Sequence, residues 1–105
     1  MPELLLEIAT PLGFTVRWSR DYWQLIVGQK HPVLAGQEPD VRQVLADPDQ
    51  VRRSRKDRQV LLFYRRFWGR SLCAVVRRED ATGFLITAYP TDAIKAGDRI
   101  WTRSE

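Results

Sequence analysis

The chain has a single histidine, His31, and the polar side chains that could work with it lie far from it in the sequence. Histidine exchanges a proton near neutral pH more readily than any other side chain. The accompanying candidates are guanidinium, hydroxyl, carboxylate and phenol groups: Arg53, Ser54, Asp57, Tyr64, Thr87 and Tyr89. Together these groups could provide a base, an acid and a cation. That set is sufficient to cleave a phosphodiester whose own hydroxyl is the nucleophile.

Other kinds of catalytic site are not indicated. One histidine and one cysteine, Cys73, cannot build a zinc site, and no acidic pair stands at ligand spacing from the histidine. The sequence contains no glycine-rich phosphate loop and no Ser-x-x-Lys or Gly-x-Ser-x-Gly nucleophile motif. We therefore expect neither a metal nor a cofactor. Cys73 lies in an apolar run and is expected to be a small buried hydrophobe.

Positive charge is concentrated in one part of the chain. Residues 51–78 hold ten basic residues, nine of them arginine, against the single acid Asp57, whereas the whole chain carries a net charge of +4. Arginine binds phosphate through a planar fork of N–H donors, so this basic block indicates a polyanion partner. The candidate RNA-binding residues are Arg52, Arg55, Lys56, Arg65, Arg77 and Thr91. A solvated charged face, or a surface for an acidic protein, would explain the same pattern.

RNA is the polyanion that fits both observations, because its 2′-hydroxyl can be the nucleophile. Each candidate nevertheless has an ordinary structural explanation. His31 precedes a proline at a predicted helix end and could be a surface residue. Tyr64 and Tyr89 could line the core, and Thr87 is a typical strand residue. Asp57 could simply offset the surrounding arginines.

The elements that would position these residues fall into two halves. Two short runs, 4–8 and 14–18, joined by a Pro/Gly turn, predict a β-hairpin. Helical spacing of apolar residues predicts a helix over 20–29, capped by Ser19 and ended before Pro32. A loop over 33–39 should lead into a second helix that stops at 47–49.

The second half predicts an antiparallel sheet. Strands are expected at 51–55, 59–67, 71–77 and 84–89, with Pro90 closing the last of them. One helical turn is predicted at 91–95, followed by a short strand at 99–102. We therefore expect residues 1–105 to form one α+β domain, with the hairpin and two helices packed on an antiparallel sheet.

Five pieces of the sequence resemble the phage-type branch of the barnase, EndoU, colicin and RelE-like ribonuclease superfamily. They are His31-Pro32, the Val-x-x-Ser-x-x-Asp segment 51–57, Phe63-Tyr64, Val75-Val76, and the segment from Gly83 to Asp92. The resemblance covers about residues 31–101 and leaves the N-terminal hairpin outside the minimal fold.

This resemblance implies a barnase/RelE-like fold and metal-independent RNA cleavage in a cleft between a helix end and the open sheet face. By analogy His31 would be the base or the acid. Ser54, Asp57 and Tyr64 would position the site, and Thr87 and Tyr89 would contact the scissile phosphate. Arginines of the basic block, Arg53 among them, would stabilise the phosphorane.

The favoured hypothesis is an endoribonuclease, as the toxin of a toxin–antitoxin pair, with RNA and an antitoxin protein as partners. Two alternatives stay open: an RNA-binding module without catalysis, and an interaction domain that docks an acidic protein. The first residues do not match a signal peptide, and no apolar run reaches the ~18 residues of a membrane span. We accordingly expect a cytoplasmic protein that does not bind membranes.

Overall fold

A computed structural model describes residues 5–94 and 97–104. It is an α+β fold in which a seven-stranded, mostly antiparallel sheet accompanies two α-helices. In chain order the elements are β1 (Leu5–Ala9), β2 (Thr15–Ser19), α1 (Arg20–Leu25), a π-helical turn (Ile26–Lys30), a 3-10 turn (Pro32–Leu34), α2 (Glu38–Ala46), β3 (Gln50–Arg53), β4 (Val60–Phe67), β5 (Arg70–Glu79), β6 (Thr82–Thr91) and β7 (Asp98–Thr102). The strand order across the sheet is β1-β2-β6-β5-β4-β3-β7.

The N-terminal hairpin forms as predicted, but it belongs to the main sheet. β1 and β2 pair antiparallel, and β2 then pairs in parallel with β6, Thr15 to Arg17 lying opposite Thr82 to Phe84. The sheet is therefore larger than the sequence indicated. Gly83 makes this join possible because its backbone lies so close to Phe14 and β5 that a side chain would not fit.

The first helix begins where the sequence predicts and changes form earlier than expected. The Ser19 hydroxyl accepts a hydrogen bond from the Tyr22 backbone N–H at 2.9 Å, which caps the helix start. The α-helix ends at Leu25, and the chain continues through the π-helical turn to Lys30. His31 then leaves helical geometry, with φ −142°, immediately before Pro32.

The strands of the second half form an antiparallel array as predicted, and β6 is longer than expected. Pro90 does not close β6, which continues to Thr91. Proline is tolerated there because β2 pairs with β6 only as far as Phe84, leaving the rest of that side as an edge. The helical turn predicted from Thr91 is wrong over 91–94, where Thr91 instead exchanges hydrogen bonds with the backbone of Ala93. Lys95 lies outside the described residues.

Side chains on the two faces of the sheet form separate apolar clusters. The main core lies between the sheet and the helices, where Ile26, Val44 and Leu45 of the helical segments meet Phe63 and Val76 of the strands. A smaller cluster lies on the opposite face, called here the second face, and consists of Leu62, Tyr64, Cys73, Val75 and Tyr89. Cys73 is buried there, as predicted.

Among residues 5–94 and 97–104, no helix is long and apolar enough to cross a membrane. Within the same ranges, no group of three or more His, Cys, Asp or Glu side chains is arranged to hold a metal ion.

Candidate active site on the second face of the sheet

Strand register brings several of the predicted site residues onto the second face. Tyr89 of β6 lies opposite Cys73 of β5, which lies opposite Tyr64 of β4. Thr87 lies one row away, opposite Val75. Because alternate residues of a strand point to the same side, Tyr64, Thr87 and Tyr89 share this face.

His31 reaches the same region by passing the edge of the sheet. β2 stops pairing with β6 after Phe84, and α1 with its π-helical turn packs beside the exposed edge that follows. The Tyr22 hydroxyl donates to the carbonyl oxygen of Ile86 on this edge, and Lys30 Nζ lies 3.5 Å from the same oxygen. The next residue, His31, places its ring 5.8 Å from the ring of Tyr89, measured between centroids.

The two tyrosines of the site differ in what they can do. Tyr64 is only 1% exposed, so it cannot contact a substrate directly. Tyr89 is partly exposed beside His31. Burial raises the pKa of the Tyr89 phenol, and the neighbouring Cys73 and Tyr64 raise it further. Tyr89 therefore stays protonated at neutral pH, when it can donate a proton or hydrogen bond but cannot act as a base.

Thr87 adds a hydroxyl group to the second face. Its Oγ1 atom is buried and has no hydrogen-bond partner among the residues that the structure describes. A buried unpaired hydroxyl is costly, by about 1–3 kcal/mol. Such groups are unusual in folded proteins, and a catalytic role or a bound water can explain them. In the described part of the chain the Nε atoms of Arg52, Arg53, Arg65 and Arg103 share this property.

Ser54 and Asp57 order a turn rather than presenting free catalytic groups. Ser54 Oγ accepts hydrogen bonds from the backbone N–H groups of Lys56 and Asp57, at 3.2 and 3.4 Å. The Asp57 carboxylate accepts from the Gln59 N–H at 3.0 Å and from Arg77 Nη1 at 2.7 Å. The hydrogen bond from the Gln59 N–H has the larger effect and that from Arg77 the smaller, and both hold the pKa of Asp57 below its ordinary value. The turn thus fixes an ionised carboxylate that orients Arg77.

The predicted RNA-binding arginines do not all lie on one surface. Arg52 lies opposite Leu62, and Arg77 lies opposite Phe84. Both arginines are therefore on the second face. Arg52 donates to Gln50 and to the Gly97 carbonyl oxygen at 2.9 Å. Arg53 lies opposite the core residue Leu61, so the structure separates Arg53 from Tyr64, Thr87 and Tyr89.

Several members of the basic block are already neutralised. Arg65 lies opposite the core residue Leu72 and donates to Asp47. Within the part of the chain that the structure describes, four of the ten basic residues form ion pairs with carboxylates: Arg55 with Asp98, Arg65 with Asp47, Arg70 with Asp92 and Arg77 with Asp57. Lys56 is exposed at the Ser54–Asp57 turn, and Thr91 lies at the end of β6, opposite Ser71. The field of the block is accordingly weaker than its +9 formal balance suggests.

Sequence reasoning missed a cleft at the point where β2 separates from β6. The cleft has a volume of about 540 Å³ and is lined by Leu5, Arg17, Trp18, Ser19, Tyr22, Arg77, Phe84, Leu85 and Ile86. Phe84 is 50% exposed there, and Lys30 approaches from the helix side. The parallel β2–β6 pairing creates this cleft. Nothing in the local sequence of either strand indicates that pairing.

Comparisons with known protein families, with curated proteins and with solved structures found no match for this chain.

Proposed function

We propose that this protein is a metal-independent endoribonuclease that acts as the toxin of a cytoplasmic toxin–antitoxin pair. The observation that carries the proposal is the approach of His31 to Tyr89 at the β6 edge, with the unpaired hydroxyl of Thr87 on the same strand. The resemblance to barnase/RelE-like ribonucleases involves these same three positions.

His31 is assigned as the general base because the other two candidates are unsuitable. Tyr64 is too deeply buried to touch a substrate. Tyr89 has a raised pKa, so its phenol keeps its proton. An imidazole at a partly exposed position can accept a proton near neutral pH without any metal.

The reaction then needs few groups. His31 takes the proton of the 2′-hydroxyl, and the 2′-oxygen attacks the adjacent phosphorus atom. The bond between phosphorus and the 5′-oxygen breaks, and the leaving oxygen takes a proton from Tyr89 or from water. The products are a 2′,3′-cyclic phosphate and a 5′-hydroxyl. The Thr87 hydroxyl, which is buried in the free protein, must turn outward to donate to a phosphate oxygen, and Arg77 provides positive charge on the same face.

The roles of the remaining candidates follow from their contacts. Tyr64 is a positioning residue, because it influences Tyr89 from within the second-face cluster. Ser54 and Asp57 hold Arg77, and Arg52 is a further cation on the same face. Arg53 has no place in this scheme, because it lies on the core side. An antitoxin protein would inhibit the enzyme by covering the β6 edge.

The direct test is to incubate the purified protein with RNA in EDTA and to analyse the ends of the products. We expect cleavage, with 2′,3′-cyclic phosphate ends, and a loss of about 100-fold or more in the His31→Ala variant. Intact tRNA, mRNA and rRNA at micromolar protein would refute the proposal. Binding of RNA without cleavage would identify a non-catalytic module instead.

A further inference from the structure

We propose that the cleft between β2 and β6 binds a nucleobase of single-stranded RNA, next to the candidate cleavage site. This inference deepens the proposed function by naming a recognition pocket for its substrate. It rests on that function only for the claim that the bound strand is also cleaved.

The walls of the cleft fit a flat, mainly apolar group. Leu5 and Phe84 are large apolar side chains that are 53% and 50% exposed there, on strands whose other face is packed in the core. The Tyr22 ring adds a second aromatic surface. A volume of about 540 Å³ falls within the ~300–1,000 Å³ range of small-ligand pockets, which are usually apolar with a few polar groups. Aromatic side chains of this kind stack bases without strong sequence preference.

Positive charge surrounds this apolar surface. Arg17 lies directly opposite Phe84 in the β2–β6 ladder, and Arg77 lies opposite Phe84 on the other side, in the β5–β6 ladder. Lys30 completes the set from the π-helical turn, and it has no carboxylate partner among residues 5–94 and 97–104. Glu7 and Asp57 each bind one of the two arginines, so these five side chains together carry a net charge of +1. This favours a ligand whose apolar part is flanked by phosphates.

Residues of the cleft are chain neighbours of the candidate active-site residues. Lys30 contacts the cleft residues Tyr22 and Ile86, and the next residue, His31, contacts Tyr89. Thr87 follows Ile86 directly on β6. A base held against Phe84 would therefore belong to a nucleotide close to the phosphate that the proposed function assigns to His31 and Thr87. A base-paired strand could not insert its base, so the pocket selects single strands.

The experiment uses short deoxyribonucleotide oligomers, which lack the 2′-hydroxyl and stay intact. Their affinity is compared with that of an oligomer carrying the same phosphates but a central abasic sugar. We expect the wild-type protein to bind the intact oligomer more tightly. Phe84→Ala should lower its affinity about 5- to 10-fold, towards the lower end of measured stacking contributions. The variant should bind the abasic oligomer as the wild type does.

Trp68→Ala is the matched control, because Trp68 is fully exposed on the β4–β5 turn, away from the cleft. Equal losses in the two variants, or no difference between intact and abasic oligomers, would overturn the inference. Circular dichroism and thermal unfolding should show that both variants fold. Base-dependent binding without RNA cleavage would refute the ribonuclease while supporting the pocket. Cleavage without base-dependent binding would refute the pocket while supporting the ribonuclease.

Discussion

Replacing Gly83 with alanine should destabilise the protein by forcing apart the strands that join the hairpin to the sheet. A methyl group at this position would lie 2.9 Å from Phe14 Cε2, 3.0 Å from the Arg77 carbonyl oxygen and 3.1 Å from Val76 Cγ1. The carbonyl oxygen belongs to the β5 backbone and cannot move without disturbing the strand pairing. The clash therefore cannot be relieved by a change of side-chain rotamer alone.

The expected magnitude follows from two opposing effects. Overpacking in a well-packed interior costs about 1–3 kcal/mol. A glycine-to-alanine change also restricts the unfolded chain, which offsets about 0.4–1 kcal/mol of that cost. The middle of each range gives a net loss of about 1–2 kcal/mol. For a chain of 105 residues, 1 kcal/mol shifts Tm by about 4–5 °C, so the predicted fall is about 4–10 °C.

Urea and thermal unfolding provide the assay, and Gly28→Ala is the matched control. Gly28 has open space where its Cβ would lie, so alanine there should leave the stability unchanged or increase it. Phe14→Leu should relieve part of the clash, making the double variant with Gly83→Ala about 0.5–1 kcal/mol more stable than additivity predicts. If Gly83→Ala were as stable as the wild type, the close approach of β2, β5 and β6 would be wrong.

Three further predictions test other parts of the structure. Trp68→Asn should stabilise the protein by about 0.5–1 kcal/mol, because Trp68 is fully exposed at φ 51° and asparagine tolerates this conformation better; a lower Tm would contradict this. Thr87→Val should keep or raise Tm, because it removes a buried unpaired hydroxyl. The same variant should cleave RNA about 10- to 100-fold more slowly. An unchanged cleavage rate would show that Thr87 has no role in the reaction. Because the pKa of folded Asp57 lies below its ordinary value of 3.8, its contribution to stability is present above that value and disappears as the pH falls through the lower folded pKa. The Tm difference between wild type and Asp57→Asn should therefore narrow on acidification below about pH 4, and a constant difference would show that the Asp57 contacts do not stabilise the fold.

Much of the local structure could be predicted from the sequence, because local signals determine it. The Ser19 cap, the helix end before Pro32 and the antiparallel strands after residue 50 all have recognisable patterns nearby. The join between β2 and β6 has none. Parallel pairing between segments more than sixty residues apart depends on tertiary packing, and the glycine at position 83 is required by that pairing without predicting it.

The candidate site likewise contains residues that the sequence predicted and residues that it did not. Residue types and the family resemblance predicted His31, Thr87 and Tyr89 as site residues, and the structure places His31 beside Tyr89, with Thr87 on the same strand. Arg52 and Arg53 are neighbours in a strand, so their side chains point to opposite faces. Only the register of the sheet shows that Arg52 is on the second face and Arg53 on the core side. Lys30 and Phe84 were missed, because a lysine at a helix end and a phenylalanine in a strand have nothing unusual in their types.

Attack by the 2′-hydroxyl at the His31 site is the central claim, and one substrate tests it directly. A single ribonucleotide is placed within an otherwise deoxyribonucleotide strand, and the strand is incubated with wild-type protein and with His31→Gln in EDTA. We predict that the wild type cleaves only on the 3′ side of the ribonucleotide, leaving a 2′,3′-cyclic phosphate, and that His31→Gln is at least about 100-fold slower. Cleavage at deoxyribonucleotide positions, or equal rates for the two proteins, would contradict the claim.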